Sequence, residues 1–211
     1  FMGLPLVDDV DKVKDVIDRR NIDVIIVDSM GLAVSGEMEN AESVLNFFRA
    51  IRQLGKTAMI ISHVNRQGTI FGSAYTTNSA RSVWEAKMSG NGKDFSLFHR
   101  KVNNIKLQPA QNWSVDFSPE KVVYTRGDVY QTENAGTLSY AYLVERILQS
   151  EGPKTRDSLA DTITAMKGEA CDKVKRNVST AVSNHKKDGK VSETSEGVVS
   201  LVSKGEETWT I

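Results

Sequence analysis

Apolar positions near the start of the chain recur at helical spacing. Val10, Val13, Val16 and Ile17 share one face, and Asn21 follows them. An apolar run, Ile22–Val27, broken only by Asp23, then ends in Asp28. A strand without alternation predicts burial on both faces, as in a parallel sheet between helices. A second helix is predicted over Ala41–Leu54, with Val44, Leu45, Phe48 and Ile51 on one stripe and Gly55 as its stop. "TAMIISH" follows as a second buried strand, so the order is a βαβ unit with an expected right-handed crossover.

After Arg81 the pattern shortens. "SVWEAKM", "FSLFHRK", "NIKLQ", "WSVDF" and "KVVYT" are partly alternating runs separated by Gly, Asn and Pro, and they predict an antiparallel meander that continues the sheet. The polar stretch "QTENAGT" carries a glycine and reads as a linker. Beyond it the helical period returns in "YAYLVERILQS", "TRDSLADTITAM" with Thr155 as N-cap, and "CDKVKRNVSTAVSNHKKDG" ended by Gly189. "KVSETSEGVVSLVS" predicts a hairpin turning near Ser195–Gly197. Three helices and a hairpin in about 75 residues is the pattern of a winged helix-turn-helix. The expected organisation is an α/β unit over residues 1–131, a linker over 132–137 and a small α+β winged-helix domain over 138–211.

Composition narrows this picture only slightly. Lys+Arg and Asp+Glu are both 27, so net charge is silent about a nucleic-acid partner and only local patches count. A single cysteine, Cys171, excludes an intramolecular disulfide and fits a reducing cytoplasm. No apolar run approaches the roughly 20 residues a membrane helix needs. The pattern starts within an element at Phe1, which leads us to expect a part of a longer protein.

Asp28 is the first candidate for chemistry. A carboxylate at the C-terminal end of a parallel strand lies where α/β sheets bind ligands, and in a phosphate-loop ATPase it orients Mg²⁺ and its water. The bland alternative is a strand end that caps the next helix. The phosphate loop itself has one formal match, "AIRQLGKT" at Ala50–Thr57. There, however, a helix precedes and a strand follows, the reverse of the order that aims backbone N–H groups at an anion. "GNGKD" at Gly90–Asp94 lacks the hydroxyl and precedes a strand. Neither is a phosphate loop.

The order "IDVIIVDSM", helix, "TAMIISHVNR", polar loop "QGTIFGSAYTTNSAR", "SVWEAKM", "FHRKVNN" resembles the RecA-like ATPase core. The likeness is to the hexameric helicase and plasmid RepA-like branch, related to DnaB-type and RadA-type proteins, and it covers roughly Val7–Thr125. It implies a partial RecA-like core, a mostly parallel central sheet continued by the meander, whose upstream strand, phosphate loop and water-activating glutamate would precede Phe1. It implies that Asp28 stands on the Mg²⁺ side through a water. It also implies that His63 senses the γ-phosphate, and that the loop from His63 to Arg81, with Arg66, contacts DNA. "HRKVNN" matches the family strand whose cation reaches a neighbouring subunit's ATP. Lys101 fits best and Arg100 stands beside it, and because strand neighbours face opposite sides only one can point there. ATP and Mg²⁺ are therefore expected as ligands of the full-length parent, with self-association into a ring or filament, while this chain alone is expected to be inactive.

The third C-terminal helix and its end carry six cations, Lys173, Lys175, Arg176, Lys186, Lys187 and Lys190, against Asp172 and Asp188. Phosphate contacts need such a patch, so DNA, single- or double-stranded, is the expected partner. Winged helices also serve as protein-docking modules, and basic helices are often only solvated faces. The resulting expectation is part of an ATP-dependent DNA motor in replication or recombination. The alternative is a non-enzymatic DNA-binding or replication-initiation adaptor with a degenerate ATPase scaffold.

Overall fold

The structure, a computed structural model, describes residues 5–65, 68 and 70–202. It is mixed α/β, and the chain divides into two units: residues 1–83 with 100–107, and residues 84–99 with 108–211.

In the first unit α1 (Leu6–Arg20) starts after Pro5, with Asp8 and Asp9 in its first turn and Arg19 and Arg20 in its last, a charge order that suits the helix dipole. Asn21 ends it in the left-handed region at φ 50°, a conformation Asn tolerates better than most residues. β1 (Val24–Asp28), a short helix α2 (Met30–Ala33), α3 (Ala41–Gln53) and β2 (Thr57–Ile61) follow. The side chain of Asn40 caps α3 by accepting from the backbone N–H groups of Glu42 and Ser43. β1 and β2 are parallel neighbours, with Val24 opposite Thr57 and Asp28 opposite Ile61. A further short helix, α4 (Tyr75–Ser79), lies in the polar segment after β2.

The core of this unit joins Met30, Val34, Met38, Val44, Phe47, Phe48 and Ile51, and from the strands Val27, Ala58 and Ile60 reach it. The opposite strand face is bare: Val24 and Ile26 are 56% and 61% exposed, and Met59 and Ile61 are exposed beside them. The expectation of strands buried on both faces is therefore corrected. One helical layer covers one face, and nothing among the described residues covers the other.

β3 (Ser82–Met88), β4 (Asp94–Val102), β5 (Gln111–Phe117) and β6 (Val122–Gly127) form a four-stranded sheet in sequence order, with β4, β5 and β6 antiparallel. This meander is a sheet of its own and does not continue the β1–β2 pair, which corrects the second expectation. β5 and β6 are held in one register from Asn112 opposite Gly127 to Phe117 opposite Val122.

The segment expected as a linker is ordered. Val129–Gln131 and Glu133–Thr137 are 3₁₀ turns, and Ala135 and Leu138 are buried in the core of the second unit. Lys167 anchors the segment by donating to the carbonyls of Gly136 and Leu138, both at 2.7 Å. The backbone also approaches the helix Arg156–Lys167 closely here, because a Cβ at Gly136 would stand 2.4 Å from the carbonyl oxygen of Met166.

The remaining elements are α5 (Tyr140–Glu151), β7 (Lys154–Thr155), α6 (Arg156–Lys167), α7 (Cys171–Lys187), β8 (Val191–Glu193) and β9 (Val198–Leu201). Thr155 caps α6 by accepting from Ser158 N–H, as its sequence position suggested. Gly168 closes α6 in the left-handed conformation, which a three-residue turn into α7 requires. The three short strands form one antiparallel sheet in the order β7-β9-β8. Leu143, Ile147, Leu159, Ile163, Val174, Val178 and Val182 are fully buried between the helices, with Val191 and Val199 from the strands. Among the described residues no helix is long and apolar enough to cross a membrane.

Candidate functional site

Parallel pairing brings two of the expected residues to one end of a sheet. Asp28 is the last residue of β1, its strand partner is Ile61, and His63 lies two residues beyond Ile61. Asp28 is exposed, and its carboxylate has no hydrogen bond or ion pair among the described residues. The peptide that follows it, Asp28–Ser29, is cis. His63 is exposed as well, and its carbonyl accepts from Phe71 N–H, closing the loop that follows β2. The loop's two ends are bridged again at Val64 and Ile70. Arg66 lies outside the described residues. A solvent-facing carboxylate with uncommitted oxygens is able to take a hydrated Mg²⁺, which prefers few protein ligands and keeps most of its waters.

Lys101 is differently employed. Its ammonium donates to the carbonyls of Thr77 (3.0 Å), Asn78 (2.9 Å) and Ala80 (2.6 Å) at the C-terminal end of α4. Three carbonyls use all three donors of a lysine, and they are the groups a helix C-terminus leaves unsatisfied. Lys101 therefore fastens α4, while its neighbour Arg100 is exposed. Strand alternation separates the two roles as expected, but it is Lys101 that turns inward.

The cations of α7, and Lys190 just beyond it, are largely paired within the second unit. Lys173 bonds Glu169 (2.8 Å), Lys175 bonds Asp157 (3.1 Å), Lys186 bonds Glu193 (3.3 Å) and Lys190 bonds Glu145 (3.2 Å). Arg176 and Lys187 are exposed and make no ion pair among the described residues. Those pairs shrink the basic patch from six uncompensated cations to two.

No family model matches this chain, and no curated protein matches it either.

Two arrangements escape a reading of the sequence. Arg156, at the start of α6, forks onto Glu193 of β8 (Nε 2.7 Å and Nη2 2.9 Å). It also donates to the Ser179 carbonyl at 3.1 Å and hydroxyl at 2.8 Å on α7. The guanidinium holds the Glu193 carboxyl at about 2, well under its ordinary value, with Lys186 assisting. Trp84 of β3 and His99 of β4 stack with centroids 4.3 Å apart and planes 3° from parallel. Backbone Gln108 donates to His99 Nδ1, which makes that nitrogen an acceptor. The alternation of "SVWEAKM" and "NWSVDF" was the available signal for the aromatic face; nothing local in the sequence pairs Arg156 with a residue 37 positions away.

Proposed function

We propose that this chain is the C-terminal part of a RecA-like ATPase core followed by a winged-helix module, within an oligomeric, cytoplasmic, ATP-dependent DNA motor of replication or recombination. The observation that carries the reading is the pairing of β1 with β2. It sets an uncommitted carboxylate, Asp28, and an exposed imidazole, His63, at the C-terminal ends of adjacent parallel strands, where open α/β sheets take ligands. The bare face of that pair supports the same reading, because parallel sheets are covered on both sides and this one has a single layer among the described residues.

Bound Mg²⁺ would neutralise charge on the nucleotide phosphates. Asp28 fits the task of orienting the ion through a water, and His63 the task of passing the nucleotide's state into the loop that begins there. Phosphate-cradling backbone would come from residues outside this chain. The trans-acting cation of the proposal comes from this strand, Lys101 or Arg100, and Lys101 is held here by three carbonyls.

The helix–strand–helix–helix–strand–strand order from α5 to β9 supports the winged-helix part, with α7 as the helix that meets DNA. Arg176 and Lys187 are its phosphate contacts, since the other four cations are compensated. The test is fluorescence anisotropy of a labelled duplex against this chain over a salt series. The double variant R176A/K187A should flatten the salt slope by about 2 if both reach phosphates. A duplex that binds with an unchanged slope removes α7 from the interface. The adaptor reading is favoured by the same compensated cations, which suit protein docking as well as DNA, and absence of duplex binding at 50 mM salt would select it.

A further inference from the structure

We propose that the face of the four-stranded sheet turned away from the helical core is a stacking platform for single-stranded nucleic acid. This goes beyond the reading above and needs neither Asp28 nor α7.

The two faces of the sheet differ sharply in chemistry. Ser96, Phe98 and Asn112 are buried on the core side, where Ser96 and Asn112 hydrogen-bond and Asn134 joins them through Ser96 Oγ. Side chains alternate along strands, so Phe95, Leu97 and His99 of β4 belong to the other face. Trp84 stacks on His99 and belongs with them. Trp113 is the partner of Phe95, Arg126 the partner of Trp113, and Tyr124 the partner of Val115. The outer face therefore carries aromatic rings on every strand: Trp84, Phe95, Trp113 and Tyr124. Trp84 is 40% exposed and Tyr124 is 60% exposed, so these two rings are open to a partner, while Phe95 and Trp113 are half-buried.

Charge decides between partners. The three carboxylates within these strands, Glu85, Asp94 and Asp116, alternate onto the opposite side. Arg126 stands exposed on the outer face next to Trp113, and Lys93 continues that face at the start of β4, where its carbonyl accepts from Val115 N–H. Aromatic faces flanked by cations and cleared of acids match a polyanion whose bases present π-surfaces. Adjacent strands are spaced about 4.8 Å, so the four strands span roughly 14 Å, room for a few stacked bases.

The experiment titrates the full chain into labelled (dT)20 at several salt concentrations, and follows anisotropy. Tyr124→Ala and Trp84→Ala should each weaken binding by roughly 5- to 100-fold, the range for losing one base–aromatic stack. Arg126→Gln should lower the salt slope by about 0.7. Circular dichroism checks each variant's fold; should Trp84→Ala unfold, Arg126→Gln and Tyr124→Ala at the exposed edge strand still decide. The proposal is overturned if (dT)20 fails to bind at 50 mM salt. It is equally overturned if binding survives Tyr124→Ala and Arg126→Gln, or if the face proves to pair two copies of the chain, seen as a dimer that Tyr124→Ala dissolves. Failure of duplex binding at α7 would leave these outcomes untouched, so the two ideas fail separately.

Discussion

Replacing Glu193 by Gln strips the carboxylate from the fork that ties α6, α7 and β8 together. Arg156 keeps its bonds to Ser179 but loses both charge-assisted bonds to Glu193, whose side chain is only 15% exposed. A carboxyl lowered from 4.5 to about 2 carries about 3 kcal/mol of preference for the charged folded state. Water at the half-open Lys186 and along Arg156 reduces this, and about 2 kcal/mol is the working figure. Because the folded value is the lower one, this stability is present in full above about pH 4.5 and is lost as pH falls toward 2. Thermal unfolding of wild type and E193Q at pH 7, 4.5, 3 and 2 reads the effect directly. At pH 7 the variant should melt roughly 6–10 °C lower, and the gap should close by pH 2. A gap under about 0.5 kcal/mol at pH 7, or one that stays constant down to pH 2, would refute the reasoning.

Lys101→Met should free the carbonyls of Thr77, Asn78 and Ala80 and cost about 1–3 kcal/mol, with amide exchange rising through α4; Arg100→Met should leave that exchange unchanged. Gly136→Ala should drop the melting temperature by several degrees, because its methyl would meet the Met166 carbonyl at 2.4 Å and push the 3₁₀ segment off α6. Phe47→Ala, at the fully buried centre of the first unit, should cost about 3–5 kcal/mol in urea titration.

Periodic elements were legible because their cause is local. The apolar stripe of α3 and the cap at Thr155 are written within a few residues, and both stand in the structure. The hairpin is set by a turn whose Gly197 has φ 77°. What the sequence hid depends on partners distant in the chain. Ile22–Val27 looks like a strand buried on both faces, yet burial is a property of what packs there, and here one face has no cover among the described residues. "QTENAGT" is polar in composition, but Ala135 and the Lys167 contacts turn it into packed structure. The place of Asp28 at a strand end was legible, whereas the role expected of His63 came from the family resemblance alone. The saturation of Lys101 and the compensation of four cations in and just after α7 were not legible, because each needs a carbonyl or carboxylate that only the fold supplies.

In the proposed DNA-stimulated ATPase, Asp28 is the ion-side carboxylate. The most direct measurement is ATP hydrolysis by the longer protein proposed above, with and without single-stranded DNA, alongside its Asp28→Asn variant. Mg²⁺-dependent hydrolysis should rise on adding DNA and fall roughly 10- to 100-fold in the variant. No hydrolysis by the longer protein, or hydrolysis that Asp28→Asn leaves intact, would contradict the proposal.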